Sequence, residues 1–377
     1  MPASDAAKTV PAPPKDPAVH RTDVVVIGAG PVGLFTVFQC GMLRLSCHVV
    51  DALEAPGGQC SALYPEKPIY DIPGCPSILA GDLIDRLMTQ SAPFHPKFHL
   101  GQQVTGLERV NGPVGGIDAG TDGGPGASEQ AQEDGAFWRL TTATGTQLEA
   151  PVVILAAGAG AFGPNRPPLQ GLERHEGSSV FYMVARKEAF RDRRVVIAGG
   201  GDSAVDWALA LQDIAARVMV VHRRAKFRCA PESAARLKDA AAAGQLDLVT
   251  PYQLHGLEED DSGALCAVTV ADLDGGVKRL EADRLLPFFG LATDLGPIAS
   301  WGVNLELHRV PIDQSTSATN LPGVFAVGDV AHYAGKLKLI LTGFAEAAQA
   351  AHAAFPICRP GEALRFEHST TSGVPLV

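Results

Sequence analysis

Glycines stand at positions 28, 30 and 33, directly after four β-branched residues, Val24-Val25-Val26-Ile27. The spacing G-x-G-x-x-G after an apolar strand has a mechanical meaning. Gly28 permits a tight turn, Gly30 lets a ligand approach the backbone, and Gly33 lets the following helix pack closely on the strand. The N–H groups and partial positive charge at that helix start suit a pyrophosphate. An acid, Asp51, ends the next apolar run (His48-Val49-Val50), where it can accept a hydrogen bond from a ribose hydroxyl. The stretch reads as a dinucleotide-binding turn.

The pattern recurs. Val195-Val196-Ile197-Ala198 leads into Gly199-Gly200-Gly201-Asp202-Ser203-Ala204, with Gly199, Gly201 and Ala204 at the three fingerprint positions. His222 follows Gly199 at the same separation as Asp51 follows Gly28. The two units are therefore in register and differ at the residue that meets the ribose. In the second unit that position begins a basic cluster, His222-Arg223-Arg224, with Arg228 close behind. An acid repels a 2′-phosphate, whereas this cluster pairs with one. The second unit is expected to take NADPH and not NADH. Two dinucleotide sites of this kind imply electron flow between them, most simply from NADPH to FAD held by the first unit.

The elements that must position these residues follow from periodicity. A helix is expected from Val32 to about Leu43. Residues 55–74, which carry Gln59 and Tyr64, are too rich in proline and glycine for regular structure and read as a functional loop. A helix from about Ala80 to Gln90 and a strand near Val104, whose backbone can meet an adenine, come next. Residues 111–136 are almost free of large apolar side chains and read as a flexible insertion in a small β-meander. Val152–Leu155 is a buried strand, with Phe162 shortly beyond it. Late in the chain, Gly323–Val330 forms a strand ending in Gly328-Asp329, whose carboxylate can accept a ribityl hydroxyl. A helix of small residues then runs from Thr342 to about Phe355. The fold class is α/β: two Rossmann-like, three-layer ββα domains, the second inserted into the first. The expected division is a disordered tail at 1–20, a first domain at 21–165 and 291–363, a second at 166–290, and a C-terminal tail at 364–377.

Composition narrows the class further. The chain has 377 residues, 46% hydrophobic, enough for two sizeable cores. A net charge of -10 argues against a nucleic-acid surface. The seven cysteines are scattered, with no C-x-x-C pair or zinc-site spacing, as in a reduced cytoplasmic protein. No apolar run is long enough to span a membrane.

The order of fingerprint, Gly58-Gln59, second fingerprint with His-Arg-Arg, and late Gly-Asp resembles the low-molecular-weight thioredoxin reductases. Those carry a C-x-x-C before the second fingerprint, but residues 181–194 here hold no cysteine. Thioredoxin reduction by that route is excluded. The more specific resemblance is to the thioredoxin-reductase-like ferredoxin–NADP reductases. It rests on Leu63-Tyr64-Pro65-Glu66-Lys67 with Ile69-Tyr70-Asp71, on Gly199–Trp207, on Gly335–Ile340 with Thr342-Gly343-Phe344, and on His368-Ser369-Thr370. It spans about residues 22–372, except the insertion; Cys60 departs from the aliphatic residue expected there.

The resemblance implies roles. Asp51 binds the FAD ribose, Gln59 contacts the cofactor near the flavin, and Tyr64 stacks on one ring face. Val104 meets the adenine, Phe162 lines the flavin pocket, and Asp329 binds the ribityl–phosphate region. His368 from the partner subunit's tail stacks on the other face, with Ser369 and Thr370 at the ring edge, which implies a homodimer. The electron acceptor would be ferredoxin or flavodoxin, both acidic, with Lys336 and Lys338 as candidate docking lysines. The alternative is an NADPH-dependent flavin, quinone or disulfide-type small-molecule reductase without a C-x-x-C centre.

Overall fold

Strands made of consecutive β-branched residues are stable where both faces of a parallel sheet are covered. Two such sheets organise the molecule. The computed structural model describes residues 19–111, 136–364 and 373. These fall into two compact units. The first comprises the described residues through Gly58, Arg86–Gly158 and those from Gly296 onward; the second comprises Gln59–Asp85 and Ala159–Leu295.

In the first unit five parallel strands lie side by side in the order Val324–Ala326, Val152–Leu155, Val24–Ile27, Cys47–Val50 and Lys97–His99. Val24, Val26, Val49, Val152 and Ile154 pack against the helices Pro31–Met42 and Ile340–Cys358 through Val37, Cys40, Ala350, Ala351 and Ala354. The intervening Val25, Val50, Val153 and Leu155 are equally buried. The second layer is a four-stranded sheet of Val19–Arg21, Gln147–Ala150, Ala136–Thr142 and Val104–Asn111. Its first strand begins at Val19, inside the stretch 1–20 expected to be a tail. Pairing of Val19–Arg21 with Gln147–Glu149 accounts for the difference.

The second unit repeats the scheme. Its parallel sheet runs Asp247–Val249, Arg217–Val221, Arg194–Ala198, Arg284–Pro287. On one face Val195, Ile197, Val218 and Val220 meet the helices Asp202–Leu211 and Pro231–Ala242 through Val205, Ala208 and Leu237. On the other, Val196, Met219, Val221 and Leu285 meet the antiparallel strands Gln253–Glu259, Leu265–Ala271 and Val277–Glu281 through Leu265, Val268 and Val270. Both units thus have the expected three layers.

The boundaries between units differ from the expected ones. Ala161–Pro164 and Leu291–Asp294 pair antiparallel and belong to the second unit. More notably, Gln59–Asp85 groups with the second unit, although it follows the first fingerprint in sequence. Long-range bonds explain this: Lys67 Nζ lies 2.8 Å from Asp206 Oδ2, and the Lys187 N–H donates to Glu66 Oε2 at 2.7 Å. The segment also holds regular structure that its prolines and glycines hid, a helical turn at Gln59–Ala62 and a pairing of Pro68–Ile69 with Ile78–Leu79. The expected insertion, apart from Asn111 and Ala136, lies outside the described residues, as do His368, Ser369 and Thr370.

A buried ion pair closes the first unit. The Asp23 carboxylate, 2% exposed, accepts from Arg359 Nη1 and Nη2 at 2.5 and 2.9 Å and from the Ser46 N–H at 2.8 Å. It ties the start of the first strand to the end of the last helix. Removing one partner leaves the other buried and uncompensated. Asp23→Ala is expected to lower unfolding stability by about 3 kcal/mol, measured as a reduced urea midpoint.

Candidate functional site

The first fingerprint folds as its glycines require. Gly28 adopts φ +111°, and a Cβ there would lie 2.3 Å from the Ala156 carbonyl oxygen. A Cβ at Gly33 would lie 1.9 Å from the Gly28 oxygen. Neither position admits a side chain. Gly30 is different: a Cβ would meet nothing within 4 Å. Open space lies beside the turn where a pyrophosphate belongs, next to the N-terminus of Pro31–Met42. Gly57 and Gly58 close over the turn, the Gly57 N–H donating to the Ala29 oxygen at 2.8 Å.

Asp51 sits at this turn, tied to it by its own carboxylate. Oδ2 accepts the Ala29 N–H at 2.6 Å and Oδ1 accepts the Leu53 N–H at 2.8 Å. Burial pushes its pKa up, opposed by these two N–H groups. A carboxylate has about four lone-pair sites, so capacity for a ribose hydroxyl remains. The Gln102 N–H donates to the Asp51 carbonyl at 2.9 Å, which brings the buried Val104 beside the same loop. Val324–Ala326 runs parallel to Val152–Leu155 and delivers the turn Gly328–Val330, with Asp329 exposed, to the same C-terminal end of the strands. Open backbone, helix N–H donors and two carboxylates in one unit fit a dinucleotide with polyol hydroxyls.

Lys336 departs from expectation. Its side chain is 2% exposed and pairs with Glu346, 3% exposed, at 2.5 Å. A buried ammonium with a carboxylate partner cannot serve as a docking charge; Lys338, two residues further on, is exposed. Glu346 itself escaped the sequence reading. Its signal was a single acid inside a helix otherwise rich in alanine, which pattern alone assigns to solvent.

In the second unit, a Cβ at Gly199 would lie 2.7 Å from the Phe288 oxygen and 2.9 Å from the Ala204 Cβ. The first and third fingerprint positions thus touch. Gly201, like Gly30, faces open space, and Asp202 and Ser203 start the helix. Arg228 is held against this loop, its N–H donating to the Gly200 oxygen at 2.6 Å. Asp202 Oδ1 accepts the Ala230 N–H at 2.9 Å, a second tie just beyond Arg228.

Arg223, Arg224 and Arg228 are exposed, but His222 is 7% exposed. Its ring fills the space left by the missing side chain of Gly200, where a Cβ would meet the ring at 2.2 Å, and it packs on Phe227. Burial lowers its pKa, and Arg228, Arg223 and Arg224 lower it further, against a bond to the Lys226 backbone. A neutral imidazole facing inward supports the loop; the three arginines carry the charge.

Tyr64 and Gln59 belong to the second unit by their contacts, whereas Gly28, Asp51 and Asp329 belong to the first. Tyr64 is partly buried against the core formed by Val195, Ile197 and Val205, with Lys67 Nζ 5.7 Å from its ring centroid. The Phe162 backbone pairs with Thr293. All seven cysteines are free thiols. Cys47 has its pKa pushed well up, first by a hydrogen bond with Cys40 and then by burial. No described helix is long and apolar enough to cross a membrane, and no metal-ligating cluster exists among the described residues.

Two fingerprint sheets of this build define a two-dinucleotide oxidoreductase fold. The family model for pyridine nucleotide-disulphide oxidoreductases matches residues 22–354. The chain is 66% identical over 355 residues to a ferredoxin–NADP reductase of Rhodospirillum rubrum, covering 94% of this chain and 97% of that protein. It is 50% identical to the ferredoxin–NADP reductase of Rickettsia akari, covering 94% and 98%. Among solved structures, thioredoxin reductases share the fold. The Lactococcus lactis structure gives a TM-score of 0.69 at 23% identity, over 89% of this chain and 99% of that one. The T. acidophilum structure gives 0.72 at 20% identity, over 89% and 98%. The chain belongs to the pyridine nucleotide-disulphide oxidoreductase family.

The arginine cluster makes a quantitative expectation. Each charge-assisted contact to a 2′-phosphate contributes about 1.5–3 kcal/mol. The double variant Arg223→Ala/Arg224→Ala is expected to raise the KM for NADPH at least ~10-fold and to leave that for NADH within about twofold, measured by steady-state diaphorase kinetics.

Proposed function

We propose that this chain is an FAD-dependent enzyme that moves electrons between NADPH and a one-electron carrier, ferredoxin or flavodoxin. The observation that carries the reading is the contrast between two superposable fingerprint loops. One has a single acid tied to its backbone, Asp51; the other is accompanied by three exposed arginines, of which Arg228 is bonded through its N–H to the Gly200 oxygen. Relatives at 50–66% identity bear the name ferredoxin–NADP reductase, in support of the carrier.

Bound FAD would supply the redox chemistry, accepting a hydride and releasing electrons singly. The chain's own residues bind and orient. Arg223, Arg224 and Arg228 pair with the 2′-phosphate of NADPH. The Gly30 and Gly201 backbones leave room for the two pyrophosphates, with helix N–H groups behind them. With FAD bound, Asp51 and Asp329 would accept its hydroxyls and Val104 would meet its adenine, and the family resemblance gives Gln59, Tyr64 and Phe162 to the flavin. The family resemblance implies that His368 would cover the opposite ring face, with Ser369 and Thr370 at its edge, from the partner subunit of a homodimer. No side chain is needed as a general acid or base.

The domains of this scheme are an FAD domain made of the first and last parts of the chain and an inserted NADPH domain, in the cytoplasm. The sequence carries no C-x-x-C pair, in support of a one-electron acceptor over a disulfide. Exposed Lys338 offers positive charge to an acidic carrier.

The test is NADPH-dependent cytochrome c reduction by the purified protein, with and without added ferredoxin or flavodoxin. Stimulation by the carrier of at least about tenfold is expected, and its loss on raising salt. NADPH oxidation that no ferredoxin or flavodoxin accelerates would point to a small-molecule reductase instead.

A further inference from the structure

The buried pair Lys336–Glu346 does not stand alone. Lys336 Nζ also donates to the Gly328 carbonyl oxygen at 2.6 Å, and Glu346 Oε2 accepts the Gly328 N–H at 2.7 Å. Both backbone groups of one glycine are therefore held by the two halves of one ion pair. That glycine has φ +74°, and it immediately precedes Asp329. Burial, and then the neighbouring Glu346 carboxylate, raise the Tyr333 phenol pKa, and its ring lies 5.3 Å from Lys336 Nζ.

The surroundings show what this clamp fixes. A Cβ at Gly343, in the first turn of the last helix, would lie 2.4 Å from Val32 and 3.2 Å from the Gly328 Cα. Val32 is in the first turn of the fingerprint helix. Three elements of the first site meet at Gly328, and the ion pair holds the one without regular sheet or α-helical bonding. A buried ion pair is a poor source of stability, since well-packed apolar residues usually serve as well or better. Its use here is geometric.

We infer that Lys336 and Glu346 are positioning residues that hold the Gly328–Asp329 turn in the form that binds FAD. The inference rests on the reading of the first unit as the FAD site. Neither residue needs to touch the cofactor. Each acts through Gly328, and the exposed Asp329 carboxylate is what they aim.

The test compares FAD retention with fold stability in the full-length holoprotein. Flavin fluorescence reports FAD release, and far-UV circular dichroism reports unfolding. Glu346→Gln keeps an acceptor near Gly328 but leaves the Lys336 charge buried. The double variant Lys336→Met/Glu346→Gln removes both charges, so it folds even if the single variant does not. Asp23→Asn is the control, weakening a comparable buried pair in the same unit away from the turn. At a temperature where all variants stay folded, the Lys336 and Glu346 variants are expected to release FAD at least ~10-fold faster than wild type. Asp23→Asn is expected to release it at the wild-type rate. Release at the wild-type rate from the folded double variant overturns the inference, as does equal acceleration in Asp23→Asn. A wild-type protein that binds no FAD overturns the reading beneath it.

Discussion

The first site depends on one steric fact: the distance between position 33 and the Gly28 oxygen leaves no room for a side chain, since a Cβ would sit 1.9 Å away. That contact brings the fingerprint helix down onto the end of its strand. The Gly28 turn in turn presses on Ala156 at the end of the neighbouring strand. With those backbones packed, the helix N-terminus points past the sheet edge, and Gly30 keeps clear space before it. The second site solves the same problem with Gly199 against Phe288 and Ala204, and with Gly201 left open. Ligand binding at the ends of parallel strands follows from this packing.

Given two such turns, charge decides what each receives. Asp51 is committed to its own loop through Ala29 and Leu53, so it shapes the turn as much as it offers an acceptor. In the second unit the residue in register, His222, is buried, and the exposed charge lies on Arg223, Arg224 and Arg228. Gly200 explains the burial: without a Cβ it leaves a slot that an imidazole fills. Gly200 and Asp202 fasten the C-terminal end of that basic segment, at Arg228 and Ala230, to the fingerprint.

The strands and helices were legible in the sequence because their signals are local. Runs such as Val24–Ile27 and Val195–Ala198 admit little other than buried strand, and the glycines after them mark the helix starts. The three-layer build of each unit follows from the same runs. Misreadings arose where a distant residue decides the outcome. Lys336 looks like a surface lysine until Glu346, ten positions on and in a helix, removes it from water. His222 looks like a phosphate ligand because nothing nearby in sequence announces the slot over Gly200. Gln59–Asp85 looks like part of the first domain because Asp206 and Lys187, which hold it to the second, lie far along the chain.

The central claim is that the first fingerprint holds FAD and the second holds NADPH, with electrons passing between them. Anaerobic stopped-flow mixing of the yellow holoprotein with NADPH or with NADH addresses it directly. The account predicts bleaching of the flavin absorbance by NADPH, at a rate at least ~100-fold greater than by NADH at equal concentration. Equal bleaching by the two nucleotides, or none by NADPH, would contradict it.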